Sequence, residues 1–179
     1  MRKTTAVFFF CITAGLLAAC ASQAVKDIEV TTRRQPDFDP GNYRSYAWLK
    51  TAQIVNDPLG QWEPPAFDAD AEVTRLVDRE LAKHGFAGTN SNPDLLVTFI
   101  AGIDMADLKL RDDPDKNGKE TLQNIPRGAL VVILVDAASR ERLWVGVAMA
   151  DIGRQLDSTI VRRRLDYAIS GMFREFPGK

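Results

Sequence analysis

The chain has 179 residues, 45% of them apolar, with 23 basic and 24 acidic side chains, so its net charge is −1. That length supports a domain with a substantial core, and so even a charge balance leaves no footprint for nucleic acid. A single histidine excludes a metal site of several imidazoles, and the only cysteines, Cys11 and Cys20, leave no thiol beyond residue 20 for a disulfide or a zinc–thiolate centre.

Arg2 and Lys3 precede an apolar run from Val7-Phe8-Phe9-Phe10 to Leu16-Leu17, and small residues crowd its end at Ala14, Gly15, Ala18 and Ala19. A positive start, a short apolar core and a small-residue end make an export signal. A spanning helix needs about 20 apolar residues and a signal core about 7–15, so residues 4–19 fit a signal better than an uncleaved anchor. Leu17-Ala18-Ala19-Cys20 resembles the lipobox of bacterial lipoproteins. The resemblance implies cleavage before Cys20 and acylation of that residue with a diacylglyceryl group and a further chain such as palmitate. Secretory cleavage within Ala19-Cys20-Ala21 is the rival, but the leucine three residues before the cysteine is the lipobox choice. One myristoyl chain gives only marginal attachment, at about 0.8 kcal/mol per buried CH₂, whereas several chains hold a protein firmly. In two-membrane bacteria an Asp after the cysteine often retains lipoproteins in the inner membrane; Ala21 therefore favours the outer membrane. The expected organisation is a signal peptide at 1–19, a lipidated N-terminus and short tether at 20–26, and one domain at 27–179. Leader removal takes the net charge to −3.

Within the domain, Ile28-Glu29-Val30-Thr31-Thr32 alternates and is β-branched, a short edge strand. The turn residues Pro36-Asp37-Phe38-Asp39-Pro40-Gly41 follow, then a strand over Arg44–Leu49 with Tyr46 and Trp48 on one face. Residues 51–67 read as a loop with apolar members that include Trp62 and Phe67. Asp68 is a good N-cap for a helix whose stripe is Val73, Leu76, Val77 and Leu81, with Gly85 as its stop. Leu95–Ile103 reads as a strand after Asn92-Pro93-Asp94, and 104–128 as a long polar connection. Leu130–Val135 is apolar on both faces, and its close spacing to Leu143–Met149 predicts an antiparallel hairpin. A last helix starts near Asp157-Ser158, carries Val161, Leu165, Ile169, Met172, Phe173 and Phe176 on one face, and ends at Pro177-Gly178.

The order β-β-α-β-β-β-α predicts an α+β two-layer sandwich: an antiparallel or mixed sheet of four to five strands with both helices on one face. The second face, carrying either Val131, Ile133 and Val135 or Leu130, Val132 and Leu134, then needs a cover. The loops at 51–67 and 104–128 could supply Trp62, Phe67, Leu108, Leu110 and Ile125; a ligand groove or partner surface around Trp62, Val131, Ile133 and Trp144 is the sharper alternative.

Candidate chemistry is sparse. His84, in the last turn of a helix, suits the negative end of the helix dipole better than a general base. Asp113-Pro114-Asp115-Lys116-Asn117-Gly118 matches the first half of an oxygen-ligand calcium loop, making Asp113, Asp115 and Asn117 candidate ligands. Its twelfth position is Asn124 where a bidentate Glu is needed, so a solvated turn is the simpler reading. Arg162-Arg163-Arg164 fan over about 200° of a helix and cannot form one basic stripe. Asp104, Asp136 and Asp151 at strand ends suit turn capping. No nucleophile elbow, phosphate loop or dinucleotide fingerprint occurs.

Several segments taken together carry a resemblance: Asp37-Phe38-Asp39, Tyr43-Arg44-Ser45-Tyr46-Ala47-Trp48, Asn92-Pro93-Asp94-Leu95-Leu96-Val97, Gly128-Ala129-Leu130-Val131-Val132 to Val135-Asp136, Leu143-Trp144-Val145-Gly146 and Phe176-Pro177. From about residue 25 the chain resembles a family of small bacterial envelope lipoproteins catalogued only as a domain of unknown function. Val145 departs from the basic residue common there. The resemblance implies an exported α/β domain with a lipid anchor and supplies no activity. The expectation is a non-enzymatic binding or accessory module with an envelope protein partner, attached to the membrane through Cys20 and using no cofactor beyond its covalent lipid. The alternative is a carrier or sensor of a small hydrophobic ligand such as a lipid.

Overall fold

The computed structural model of the protein describes residues 24–49, 53–54, 66–105, 108–112, 120–124, 127–150 and 157–177, with side chains described for 24–49, 66–102, 128–150 and 157–177. The leader, Cys20, Trp62 and the acidic turn at Asp113, Asp115 and Asn117 lie outside the described residues. The strands are β1 (Glu29–Arg34), β2 (Ser45–Trp48), β3 (Gln53–Ile54), β4 (Ala87–Gly88), β5 (Leu95–Met105), β6 (Leu108–Asp112), β7 (Glu120–Asn124), β8 (Arg127–Asp136) and β9 (Arg142–Ala150). The helices are α1 (Ala69–Lys83) and α2 (Ser158–Arg174).

Local chemistry sets the helix ends. The Asp68 carboxylate accepts from the Ala71 amide at 2.9 Å, and Asp70 and Glu72 occupy the positive first turn of α1. At the other end Gly85 has φ 76°, its N–H reaches Ala82 O at 2.9 Å, and Phe86 N–H reaches Leu81 O at 3.0 Å. This paired closure needs a left-handed residue, which glycine adopts without a Cβ penalty. Asp157 caps α2 by accepting from the Thr159 amide at 2.8 Å.

The architecture is α+β, and the sheet is mixed and larger than the four to five strands expected. Strand order is β1-β9-β8-β5-β2-β4, with β3 also pairing on β5. β1, β9, β8 and β5 are successively antiparallel, while β2 lies parallel to β5 because α1 crosses back between them. β3 and β4 have two residues each, too few for a periodicity to register. The 104–128 connection is also corrected: it contains β6 and β7, an antiparallel pair in register Leu110↔Leu122. Leu108-Lys109-Leu110-Arg111 does alternate, but over too few residues to outweigh Pro114, Gly118 and the surrounding charges.

Register aligns Val97, Leu134 and Trp144 across three strands on the face under the helices. There they meet Leu76, Val77 and Leu81 of α1 and Ile169, Met172 and Phe173 of α2, all buried. Gly146 matters for this approach: a Cβ there would lie 2.6 Å from Trp144 Cη2 and 2.9 Å from both Cβ and Sδ of Met172. After α2 ends, the Phe176 ring sits 5.4 Å from Trp144, 5.9 Å from Phe38 and 4.9 Å from His84. A smaller cluster of Val131, Val145 and Val147, with Ile100, Ile133 and Met149 partly buried beside it, occupies the opposite face.

Candidate functional site

Three polar arrangements stand out, and the first lies where β2 and β5 begin and β8 ends. One oxygen of Asp94 accepts from the Arg44 amide at 2.8 Å, the Ser45 amide at 2.9 Å and the Ser45 hydroxyl at 3.0 Å. The Ala137 amide returns to Asp94 O at 3.0 Å, closing β8 onto the same corner. Asp136 accepts from the Ser139 amide at 2.7 Å, the Ala138 amide at 2.9 Å and the Tyr43 hydroxyl at 3.1 Å. Amide donors from Arg44 and Ser45 hold the Asp94 carboxyl below the usual carboxylate range. The Ser139 amide does most to lower Asp136, while burial and the Asp136 partner raise the Tyr43 phenol. These shifts carry acid and phenol away from neutral pH, so the corner works as a clamp between strands.

The second arrangement joins sheet and helices. Tyr46 Oη and Trp48 Nε1 both donate to Asp78 Oδ1 of α1, at 2.6 and 2.9 Å. Burial and the bond to Asp78 push the Tyr46 phenol upward. Between the helices, Glu80 is only 4% exposed yet pairs with Arg79 and Lys83 and accepts from Ser170 at 3.1 Å. Desolvation raises its pKa, but Lys83 and Arg79 overcome it and the net shift is downward. Glu72 pairs with Arg75 of its own helix and with Arg162 of α2, and the Arg75 bond lowers it. Arg162 also lies 4.1 Å over the Phe67 ring, so Phe67 packs against α2 and does not cover the second sheet face.

The third arrangement is at the sheet's β1 edge. Arg164 Nη1 donates to Ala24 O at 2.6 Å and to Asp27 Oδ1 at 2.8 Å, and its Nη2 donates to Asp27 Oδ2 at 2.6 Å. The described chain is thus fixed to α2 from its first residue. Beside this fork runs a groove of about 170 Å³ lined by Ile28, Val30 and Thr32 on one wall and Tyr167, Gly171 and Arg174 on the other. Gly171 lets α2 close on β1, since a Cβ there would meet Val30 Cγ2 at 3.2 Å.

The expected site residues distribute as follows. Trp144 is 1% exposed beneath α2, which corrects its reading as a partner surface. Val131 is 0% exposed and Ile133 half-buried, both in the second-face cluster. Val145 is buried in that cluster too. His84 is the C-cap residue of α1 and stacks near Phe173 and Phe176. Among the described residues no group of three acidic, His or Cys side chains is placed to hold a metal, and no helix is long and apolar enough to cross a membrane. Asp78, Arg164 and Asp27 are structural partners that sequence reading missed. Asp78 sits on the flank of an apolar helical stripe, and the polar tips of Tyr46 and Trp48 needed an acceptor. No comparable signal marks Arg164 with Asp27.

The model of the domain of unknown function DUF4136 matches residues 30–178. The chain belongs to the DUF4136 family. A DUF4136 family protein from Bacteroides thetaiotaomicron shares the fold at TM-score 0.61 with 8% identity, over 84% of this chain and 96% of that one. Weaker similarity reaches a PDZ domain protein from Parabacteroides distasonis, at TM-score 0.48 and 14% identity over 91% of this chain and 40% of that one. A PelC dodecamer from Paraburkholderia phytofirmans gives TM-score 0.46 and 11% identity, over 84% and 99% of the two chains. No curated protein matches the sequence. In this DUF4136 member the polar arrangements have architectural roles. The Tyr43–Trp48 run supplies the donors to Asp94 and Asp136 at the strand corner and to Asp78 of α1, and Trp144, Gly146 and Phe176 build the helix contact.

Proposed function

We propose that this DUF4136 protein is a lipid-anchored lipoprotein of the bacterial cell envelope, held at the outer membrane through Cys20 and facing the periplasm. Its α+β domain acts as a non-enzymatic binding or accessory module for another envelope component. The observation that carries the reading is the Arg164 fork: it brings the folded domain to Ala24, four residues after the lipobox-like Cys20. A domain built up to its anchor is suited to presenting a fixed surface from a membrane. The engagement of Asp94 and Asp136 by backbone amides, with carboxyls lowered and the Tyr43 phenol raised, supports a binding role over acid–base chemistry. Burial of Val131, Val145 and Val147 weighs against an open ligand face and hence against the hydrophobic carrier.

Photo-cross-linking in intact cells tests the proposal, with the reactive side chain placed in turn at exposed Glu29, Ser91, Ser139 and Glu175. A specific protein adduct at one or more of these positions supports the module. No specific adduct at any position, together with non-covalently bound acyl lipid, over and above the lipid on Cys20, retained by the protein in native mass spectrometry, would replace it with the carrier.

A further inference from the structure

The lipid anchor fixes a distance, and the fold supplies a direction. Cys20 and Ala24 are four residues apart, so an extended chain spans at most about 14 Å between them. Ala24 is held on α2 by Arg164, and α2 packs along β1 and β9 at one edge of the sheet. Whatever holds Cys20 therefore lies close to the corner made by α2 and β1.

That corner has a distinctive surface. The three arginines of the basic run diverge: Arg162 turns to Glu72 of α1, Arg164 to Ala24 and Asp27, and Arg163 is exposed between them. At 100° per residue, Arg163, Tyr167 and Arg174 lie within about 40° of one another on the outer side of α2. All three are exposed, and Tyr167, at 39%, is the one large exposed hydrophobic among the described residues. Lys26 is exposed beside the fork, and Glu175 is the acidic neighbour at the far end. Cations flanking an exposed aromatic ring match the phosphate and glycerol layer of a bilayer, where basic side chains meet anionic head groups and tyrosine sits with its hydroxyl outward.

We propose that the outer face of α2, centred on Arg163, Tyr167 and Arg174, rests on the phospholipid head groups of the membrane that holds Cys20. The domain then stands on this corner, with the β4 edge pointing away. β4 is five strand spacings from β1, about 24 Å across the sheet. This inference rests on the lipid-anchor reading and adds an orientation to it.

The test uses the acylated protein purified from membranes and reconstituted into vesicles of phosphatidylethanolamine and phosphatidylglycerol. Because the natural cysteines are Cys11 and Cys20 alone, one removed and one acylated under this reading, an introduced cysteine is the sole free thiol. Spin labels at Tyr167→Cys and Ser91→Cys, both at exposed positions, are compared for accessibility to a water-soluble relaxing agent. The expected result is several-fold lower accessibility at 167 than at 91, and its recovery when Arg163→Glu and Arg174→Glu are added while the protein stays on the vesicles. Vesicle-bound, acylated protein with equal accessibility at both labels overturns the orientation and leaves the anchor intact. Protein that carries no acyl mass and does not sediment with vesicles overturns the anchor reading, and the orientation with it.

Discussion

Gly146→Ala isolates the packing between the last strand and the last helix. Two opposing effects decide its sign. In an open strand position, replacing glycine reduces the freedom of the unfolded chain and stabilises by about 0.4–1 kcal/mol. At Gly146 the new Cβ would sit 2.6 Å from Trp144 Cη2 and 2.9 Å from Met172 Cβ, well inside the ~3.5–4.0 Å of carbon–carbon contact. Trp144 is 1% exposed and Met172 fully buried, and Met172 Cβ is fixed to the helix backbone, so neither can rotate clear. Relief requires α2 to move off the sheet. Overpacking of this kind costs about 1–3 kcal/mol, and a forced helix shift argues for the upper end. Set against the gain of about 0.4–1 kcal/mol, the net loss is about 2–2.6 kcal/mol, and at about 2–4 °C per kcal/mol for a domain of this size the midpoint should fall by roughly 4–10 °C. Urea titration at constant m-value gives the free energy, and calorimetry the midpoint. Trp144→Phe shortens the ring that the new methyl meets, so its cost should be non-additive with Gly146→Ala and smaller in that background. A Gly146→Ala variant as stable as the parent, or more stable, would refute the close approach.

Asp94→Ala removes the acceptor of three bonds at the strand corner and should cost about 2–3 kcal/mol in a urea titration, with Asp94→Asn losing less. Asp94 and Asp136 have folded-state pKa values below their unfolded ones. Their contribution is therefore present above the unfolded carboxylate value of about 3.9 and disappears as pH falls through the folded values. The Asp94→Asn, Asp136→Asn variant should lose stability less steeply below about pH 4 than the parent, and an identical acid limb would contradict the assigned shifts. Asp78→Ala strands the Tyr46 hydroxyl and the Trp48 indole N–H, for an expected loss of about 2–4 kcal/mol that shrinks when Tyr46→Phe is already present. Equal losses in both backgrounds would mean that the Tyr46 bond contributes nothing.

The parts of the fold that could be read from the chain are those where one periodicity spans many residues. The stripes of α1 and α2, the Asp68 cap, the start of α2 near Asp157-Ser158, the Gly85 stop and the β8–β9 hairpin belong to this class. β3 and β4 pair through two residues each and are held by neighbours distant in sequence, so no local signal announces them. Trp144 illustrates a different limit. A tryptophan in an apolar strand reads equally as a core residue or a binding residue, and only the placement of α2 above it decides. The Arg164 fork is a contact across more than 130 positions, |i−j| 137 to Asp27, which no spacing rule reaches. The family segments were legible as a pattern, and their meaning was not. In three dimensions they become clamps and a close packing contact, made with partners distant in sequence.

The central claim, a domain held at the membrane by lipid on Cys20, is tested most directly by the intact mass of the protein extracted from cell membranes, beside a Cys20→Ala variant. The account predicts a chain beginning at residue 20 with the added mass of a diacylglyceryl group and a further acyl chain, and a Cys20→Ala protein that leaves the membrane fraction. A chain that retains residues 1–19, or a Cys20→Ala protein that stays fully membrane-bound, would contradict it.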